Sequence, residues 1–143
     1  MKHLKFSRLF AAFAFVAILS LAGCKQNTVA APDGIIGTWV SSYGEKFVIT
    51  EDTVAETAFG MYEMEIEEID EVDETSGVLY GILTKGSEYT PKDTYYAFAY
   101  KDLTANSVKT AAAATSYQTL DEVKEACTIE NMFAFYSECV REE

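Results

Sequence analysis

Histidine is almost absent from this sequence of 143 residues, and the single copy, His3, lies in an N-terminal segment that we expect to be removed. The remaining chain would then have no imidazole. This excludes histidine triads, Cys–His pairs and nearly all zinc and transition-metal sites. Carboxylates, tyrosines and lysines remain, but no spacing singles any of them out for catalysis. We therefore predict a protein that is not an enzyme and that uses neither a metal nor another cofactor.

Basic residues are also few, with 11 Lys and Arg against 23 Asp and Glu. Removing residues 1–23 takes away three basic residues and no acidic one, which leaves 8 against 23 and a net charge of about −15. Binding to phosphate backbones relies on Lys and Arg, and a field of this sign repels polyanions. We therefore predict that nucleic acid is not a partner.

The apolar run at residues 9–22 is shorter than the roughly 20 residues that a helix needs to cross a bilayer. Ser20 is its only polar residue, and Lys2, Lys5 and Arg8 precede it. A basic start followed by a short apolar stretch is typical of a signal peptide. We predict that residues 1–23 form this signal.

The signal ends in Leu21-Ala22-Gly23-Cys24, which resembles the lipobox of bacterial lipoproteins. The resemblance implies diacylglyceryl transfer to the thiol of Cys24, cleavage after Gly23 and acylation of the new amino terminus. Several acyl chains on one residue give near-permanent anchoring to a membrane. The alternative is cleavage near this point without lipid.

The polar segment after Cys24 predicts a tether, so residues 24–34 are assigned to the lipidated cysteine and its linker. Lys25 stands where many lipoproteins of enteric bacteria have the aspartate that retains them at the inner membrane. This difference favours the outer membrane of the cell envelope, facing either the periplasm or the cell surface.

Short β-rich runs separated by turn residues begin at Ile35. In residues 61–72, Tyr62, Met64 and Ile66 alternate with glutamates, a pattern typical of a strand with one buried and one wet face. Closure of such a meander into a barrel removes the exposed edges of the sheet. We therefore predict that residues 35–143 form a mainly β domain, an eight-stranded antiparallel up-and-down barrel. The predicted strands are residues 35–42, 45–50, 53–59, 61–72, 78–84, 94–100, 107–115 and 131–141.

One short helix is predicted before the last strand. Thr119 and Glu122 have the spacing of a capping box, which indicates a helix from Thr119 to about Cys127. Residues 131–141 carry both helical spacing and strand-forming aromatics, and we favour the strand over the helix.

An exported pair such as Cys127 and Cys139 suggests a disulfide, but either conformation of the intervening segment separates them too far, which argues against a bridge.

The run from Gly34 to Trp39, with Gly44, Phe47 and Thr50 behind it, resembles the first hairpin of the calycin barrels, the group that includes lipocalins and avidins. Lipocalins open this strand with Gly-x-Trp, here Gly37 and Trp39. The resemblance implies that Trp39 plugs the closed end of the barrel, with Arg141 from the last strand stacked on it. One departure is that lipocalins place their long helix after the eighth strand.

The same resemblance implies a ligand cavity in the barrel. Avidin's pocket positions fall on Ser41, Tyr43 and Glu45, but biotin binding is improbable because that family encloses its ligand with several tryptophans and this chain has one. Alternation in the strand 94–100 puts Tyr96, Phe98 and Tyr100 on one face, where they either fill the core or line a cavity. We favour core filling, because side chains can nearly fill the interior of an eight-stranded barrel. The predicted lining is Ser41, Tyr43, Phe47, Tyr62, Tyr96 and Phe98.

The mature chain is also similar to small lipocalin-like lipoproteins of spirochaetes, in residues 37–47, 100–103 and 128–131. That resemblance implies no settled activity. From the anchor, the barrel and the composition together we expect a lipid-anchored, noncatalytic envelope protein whose barrel binds a small apolar or aromatic ligand. The alternative is a surface interaction protein whose acidic exterior meets a protein partner. A carboxylate-based hydrolase is a third and weaker hypothesis.

The glutamate-rich stretch 63–74 is interpreted as a solvated face rather than a calcium site, because strand alternation points its carboxylates outward along the strand and does not gather them around one point.

Overall fold

The computed structural model describes residues 29–131 and 135–143 as a closed barrel of eight strands with one helix. Each strand pairs antiparallel with its neighbours in chain order, and β8 pairs with β1 to close the sheet. The prediction of a mainly β, eight-stranded up-and-down barrel with one short helix before the last strand is confirmed. The elements are β1 (Gly37–Ser41), β2 (Lys46–Ile49), β3 (Thr53–Glu56), β4 (Tyr62–Asp73), β5 (Ser76–Lys85), β6 (Tyr95–Lys101), β7 (Ser107–Ala112), α1 (Leu120–Ala126) and β8 (Ser137–Arg141).

Several strands are shorter than their sequence patterns predict. The first begins at Gly37 rather than Ile35, and the third ends at Glu56 rather than Phe59. Of the predicted strand 131–141, only Ser137–Arg141 is a strand among the described residues, and residues 132–134 lie outside them. The differences fall at strand ends, where the side-chain pattern continues after the pairing has stopped.

Strand alternation separates a filled interior from an outer surface. The side chains of Trp39, Phe47, Val54, Met64 and Leu79 are buried in the interior core. In β4 the intervening Glu63, Glu65 and Glu67 are exposed, as expected for a strand with one face in water. All strands, the helix and the core cluster lie within residues 31–141.

Helix α1 packs against β5 and β6. Thr119 and Glu122 form the capping box, in which the Thr119 hydroxyl accepts from the Glu122 amide and the Glu122 carboxylate accepts from the Thr119 amide. At the other end of the helix, the Tyr80 hydroxyl donates to the Cys127 carbonyl at 2.7 Å. Tyr80 alternates with the interior residue Leu79, so the helix covers the outside of the barrel. This cover buries a patch of the outer face of the sheet that alternation alone would leave in water.

The up-and-down order places the chain's turns at two ends of the barrel. One end carries the segment before β1, where Ile35 is buried and its carbonyl accepts from the Trp39 indole N–H at 2.8 Å. We call this the closed end. The opposite end, which we call the mouth, carries the β1–β2 turn and the loops β3–β4 and β5–β6.

Residues at the start of the described chain are packed on the closed end. Ala31 is buried, and its amide donates to the Glu51 carbonyl at 2.7 Å. The Gly34 carbonyl accepts from Arg141 at 2.7 Å. Residues 31–34 belong to the stretch assigned to the tether, and they lie against the barrel.

Candidate functional site: the cavity at the barrel mouth

A cavity of about 380 Å³ opens at the mouth of the barrel. Its walls come from the mouth-side ends of several strands, including Phe47 of β2, Glu56 of β3, Tyr62 of β4 and Tyr96 of β6. Small side chains of β7 and the following loop, residues 110–114, complete one wall. Ligand cavities in proteins typically measure ~300–1,000 Å³, so this one has room for a small molecule.

The residues predicted to line a cavity fall into two groups. Phe47, Tyr62 and Tyr96 lie on the cavity wall. Phe98 is fully buried in the core, where its ring centroid is 5.3 Å from that of Phe47. Ser41 is also buried, and Tyr43 is 78 % exposed on the β1–β2 turn, beside a shallow groove on the outer surface. Phe98, Ser41 and Tyr43 are not on the wall of this cavity, so that part of the predicted lining is wrong.

Tyr62 and Tyr96 meet edge to face, with ring centroids 5.1 Å apart. The Tyr96 hydroxyl donates to the Ala113 carbonyl at 2.6 Å. The Tyr62 hydroxyl is buried and has no hydrogen-bond partner among the described residues. Burial, followed by the fields of Tyr96, Glu45 and Glu56, raises the pKa of Tyr62 well above its usual value, and burial raises that of Tyr96 to about 12. Both phenols are therefore neutral at physiological pH.

Glu56 is a buried carboxylate, 3 % exposed, that turns back onto the loop after β3. It accepts hydrogen bonds from four backbone amides, those of Lys46, Ala58, Phe59 and Met61, at 2.9–3.4 Å. Burial by itself raises the pKa of this carboxyl, but the hydrogen bonds outweigh burial and lower it below its ordinary value. Glu56 is thus an anion that holds the β3–β4 loop at the mouth.

Glu45 is the second carboxylate on the cavity wall, and it is half-buried. One of its oxygens, Oε2, accepts from the Ser41 hydroxyl at 3.0 Å. The Ser41 oxygen in turn accepts from the Tyr43 and Glu45 amides at 3.2 and 3.1 Å. Ser41 therefore fixes the β1–β2 turn and orients the Glu45 side chain.

Exposed apolar side chains surround the opening. Tyr89 is 84 % exposed and Met61 is 55 % exposed, and both line the cavity. Exposed apolar side chains grouped at the entrance of a cavity are typical of a contact site for a ligand or partner.

At the closed end, the guanidinium of Arg141 lies over the Trp39 indole, 4.1 Å from the ring centre. Its nitrogens donate to the carbonyls of Ala105, Ile36 and Gly34 at 2.8, 2.8 and 2.7 Å. Gly37 has a φ of +144°, and a Cβ atom there would clash with Arg141 Nη1. The glycine two residues before the tryptophan therefore makes room for the arginine.

The remaining sequence-based candidates lie elsewhere. Cys127 and Cys139 are both buried and free, the first at the end of α1 and the second in β8. Burial raises the pKa of both thiols. Among residues 29–131 and 135–143 there is no group of three acidic or thiol side chains placed to hold a metal ion. The proposed lipidation site, Cys24, lies outside the described residues.

No helix in residues 29–131 and 135–143 is both long enough and apolar enough to span a bilayer. Comparisons of the chain with protein-family models, with curated proteins and with solved structures found no match.

Proposed function

We propose that this protein is a noncatalytic, lipid-anchored component of a bacterial cell envelope whose barrel binds a small apolar or aromatic ligand. The cavity of about 380 Å³, walled by Phe47, Tyr62 and Tyr96, is the observation that carries the proposal. A barrel whose interior was filled to the mouth would favour a scaffold instead.

The anchor in this proposal is Cys24, at the end of the lipobox-like tetrapeptide. The chain enters the barrel at the closed end, where Ala31 and Ile35 are buried. An anchor a few residues earlier would hold this end toward the bilayer and leave the mouth facing away from it. The outer membrane is the proposed location, and the small lipocalin-like lipoproteins of spirochaetes are the proposed relatives.

A binding role without catalysis is proposed because neither carboxylate of the cavity is paired with a nucleophile on the cavity wall. Glu56 is held by backbone amides and Glu45 by Ser41. Glu45 accepts from the Ser41 hydroxyl, but Ser41 is buried, its oxygen accepts from two amides, and it is not on the cavity wall. Ser41 is therefore not placed as a nucleophile that Glu45 activates toward a ligand in the cavity.

Native mass spectrometry of residues 25–143, exported to the cell envelope behind a cleavable secretory signal without a lipidated cysteine, tests the binding function. We expect a bound species of small mass that disappears in Ala112→Phe, because Ala112 lies on the cavity wall and a phenyl group there fills it. Retention of the same species by Ala112→Phe, or a bare protein that also fails to take up added apolar ligands, would contradict the proposal.

The anchor has a separate test. Cells that express the full chain and are fed a labelled fatty acid should transfer the label to the protein, and Cys24→Ala should remove it. Equal labelling of both chains would contradict lipidation at Cys24.

The second candidate is an interaction protein that uses its acidic outer surface. The exposed Glu63, Glu65 and Glu67 of β4 support this alternative. It predicts that a partner is lost when these three residues are changed to glutamine, with Ala112→Phe retaining the partner. The small-molecule proposal predicts the reverse.

A further inference from the structure

The charges on the cavity wall are all of one sign. Glu45 and Glu56 are its charged residues, and no lysine or arginine of the described chain lines it. The whole sequence carries a formal charge of −12. Because a cleft with low-dielectric walls focuses such a field, the cavity attracts cations and repels anions.

The two carboxylates differ in what they can still bind. Glu56 already accepts from four amides and serves the β3–β4 loop. Glu45 accepts one hydrogen bond, from Ser41 to Oε2, and its Oε1 has no partner within the described residues. A carboxylate has room for about four hydrogen bonds, so Glu45 is the group available to a ligand.

The Tyr62 hydroxyl is a second group that lacks a partner. Tyr62 lies on the same cavity wall, and its buried hydroxyl has no partner in the described part of the chain. Buried polar atoms are nearly always hydrogen-bonded, so a hydroxyl without a partner beside a cavity indicates that a ligand or water binds there. The fields of Glu45 and Glu56 both reach this hydroxyl.

The walls around these two groups are mostly aromatic or small and apolar, with hydroxyl groups from Ser87, Thr90, Thr110 and Ser137. Phe47, Tyr62 and Tyr96 offer rings, and residues 111–114 offer methyl groups. Aromatic faces attract cations, and more strongly where water is excluded. The rest of the cavity suits an apolar body attached to the cation.

We propose that the cavity binds a small protonated amine with an apolar or aromatic body, whose ammonium group lies between the Glu45 carboxylate and the Tyr62 hydroxyl. The inference rests on the proposed binding function and adds the charge of the ligand. The ammonium donates to Glu45 Oε1 and to the Tyr62 oxygen, which gives both groups the partner that they lack.

The test uses three probes of similar shape: 2-phenylethylamine, 2-phenylethanol and 3-phenylpropanoate. Each is titrated at pH 7 into ¹⁵N-labelled residues 25–143, a chain that keeps every described strand, the helix and the core. Amide shifts give both the dissociation constant and the location of binding. We expect the amine to bind at least about tenfold more tightly than the other two probes, because only the ammonium can donate charge-assisted hydrogen bonds to the Glu45 carboxylate.

Substitutions test which residues cause the preference for the amine. Glu45→Gln keeps the shape of the side chain and should abolish the preference for the amine, and Tyr62→Phe should weaken amine binding while leaving the alcohol unchanged. Glu65→Gln is the matched control, because it removes the same charge from the exposed face of β4 and should keep the preference. Ala112→Phe should abolish all binding at the mouth.

Three results overturn the inference, and they are distinguishable. Equal affinities for amine and alcohol, with shifts at the mouth, would contradict a cation site and leave the binding function standing. An absence of shifts at the mouth with all three probes would contradict both. A preference for the amine that survives Glu45→Gln and fails in Glu65→Gln would place the cation elsewhere and also overturn the inference.

Discussion

The guanidinium of Arg141 lies 4.1 Å above the centre of the Trp39 indole, and the two residues are direct partners in the register of β1 and β8. Closure of the barrel thus brings together residues that are far apart in the sequence. Arg141 also ties three carbonyls of the closed end together, two of them in the segment before β1. This contact and its hydrogen bonds hold the closed end together.

Arg141→Lys should destabilise the barrel although the charge is kept. A lysine ammonium cannot donate in three fixed directions while stacking on the indole, so we expect a loss of about 2 kcal/mol in the free energy of unfolding. Urea denaturation measures it. Lys109→Gln is the control, since it removes an exposed ion pair with Asp102 and should change little. A loss no greater than in the control would contradict the role of Arg141.

Gly37→Ala should cost more stability than Gly44→Ala. Both glycines have a positive φ, +144° and +87°, so both substitutions strain the backbone, by about 1–3 kcal/mol each. Only at Gly37 does the added methyl group also meet Arg141, since nothing lies within 4 Å at Gly44. Thermal unfolding of the two variants compares them. Equal losses of stability in the two variants would show that Gly37 is needed for its backbone conformation alone and not for its contact with Arg141.

Tyr62→Phe should leave stability unchanged or raise it slightly, whereas Tyr80→Phe should lower it by about 1–3 kcal/mol. Both hydroxyls are buried, but that of Tyr80 donates to the Cys127 carbonyl and that of Tyr62 has no partner in the described ranges. Urea denaturation without added ligand makes the comparison. Similar losses in the two variants would mean that the Tyr62 hydroxyl is already bonded in the free protein.

Glu56 should make stability depend on pH in the acid range. Its pKa in the folded protein lies below the ordinary 4.5, because amide hydrogen bonds outweigh burial. Its contribution is therefore complete above the unfolded pKa and is lost as pH falls through the folded pKa. We expect Glu56→Gln to lower stability by about 1–3 kcal/mol at pH 7 and to lose less on further acidification than the parent. An acid profile identical to that of the parent would contradict this, and Glu65→Gln serves as the control.

The architecture could be predicted from the sequence because its signals are local. Alternation in residues 61–72 and turn residues between short runs define strands, and the Thr119 and Glu122 pair defines the helix start. The ends of strands are harder to predict from sequence, because the point at which pairing stops depends on the neighbouring strand. The predicted third strand ran to Phe59, but Glu56 turns its carboxylate onto the amides that follow, which ends the pairing.

The cavity could be predicted only in part. Alternation tells which side chains face inward, but not how deep along the barrel each one lies. Phe98 faces inward below the cavity floor, and Tyr43 falls on the turn, outside the strand. The sequence did not predict that Glu56 lies on the cavity wall. No sequence pattern marks a carboxylate that faces the inside of a barrel, and the amides that bind Glu56 come close to it only when the β3–β4 loop is folded.

A crystal structure of residues 25–143 with 2-phenylethylamine tests the central claim most directly. We expect electron density for the amine within the mouth cavity, with its nitrogen within hydrogen-bond distance of Glu45 and of the Tyr62 hydroxyl. Density for the amine only on the outer surface, or a mouth filled by the protein's own side chains, would contradict a ligand-binding barrel.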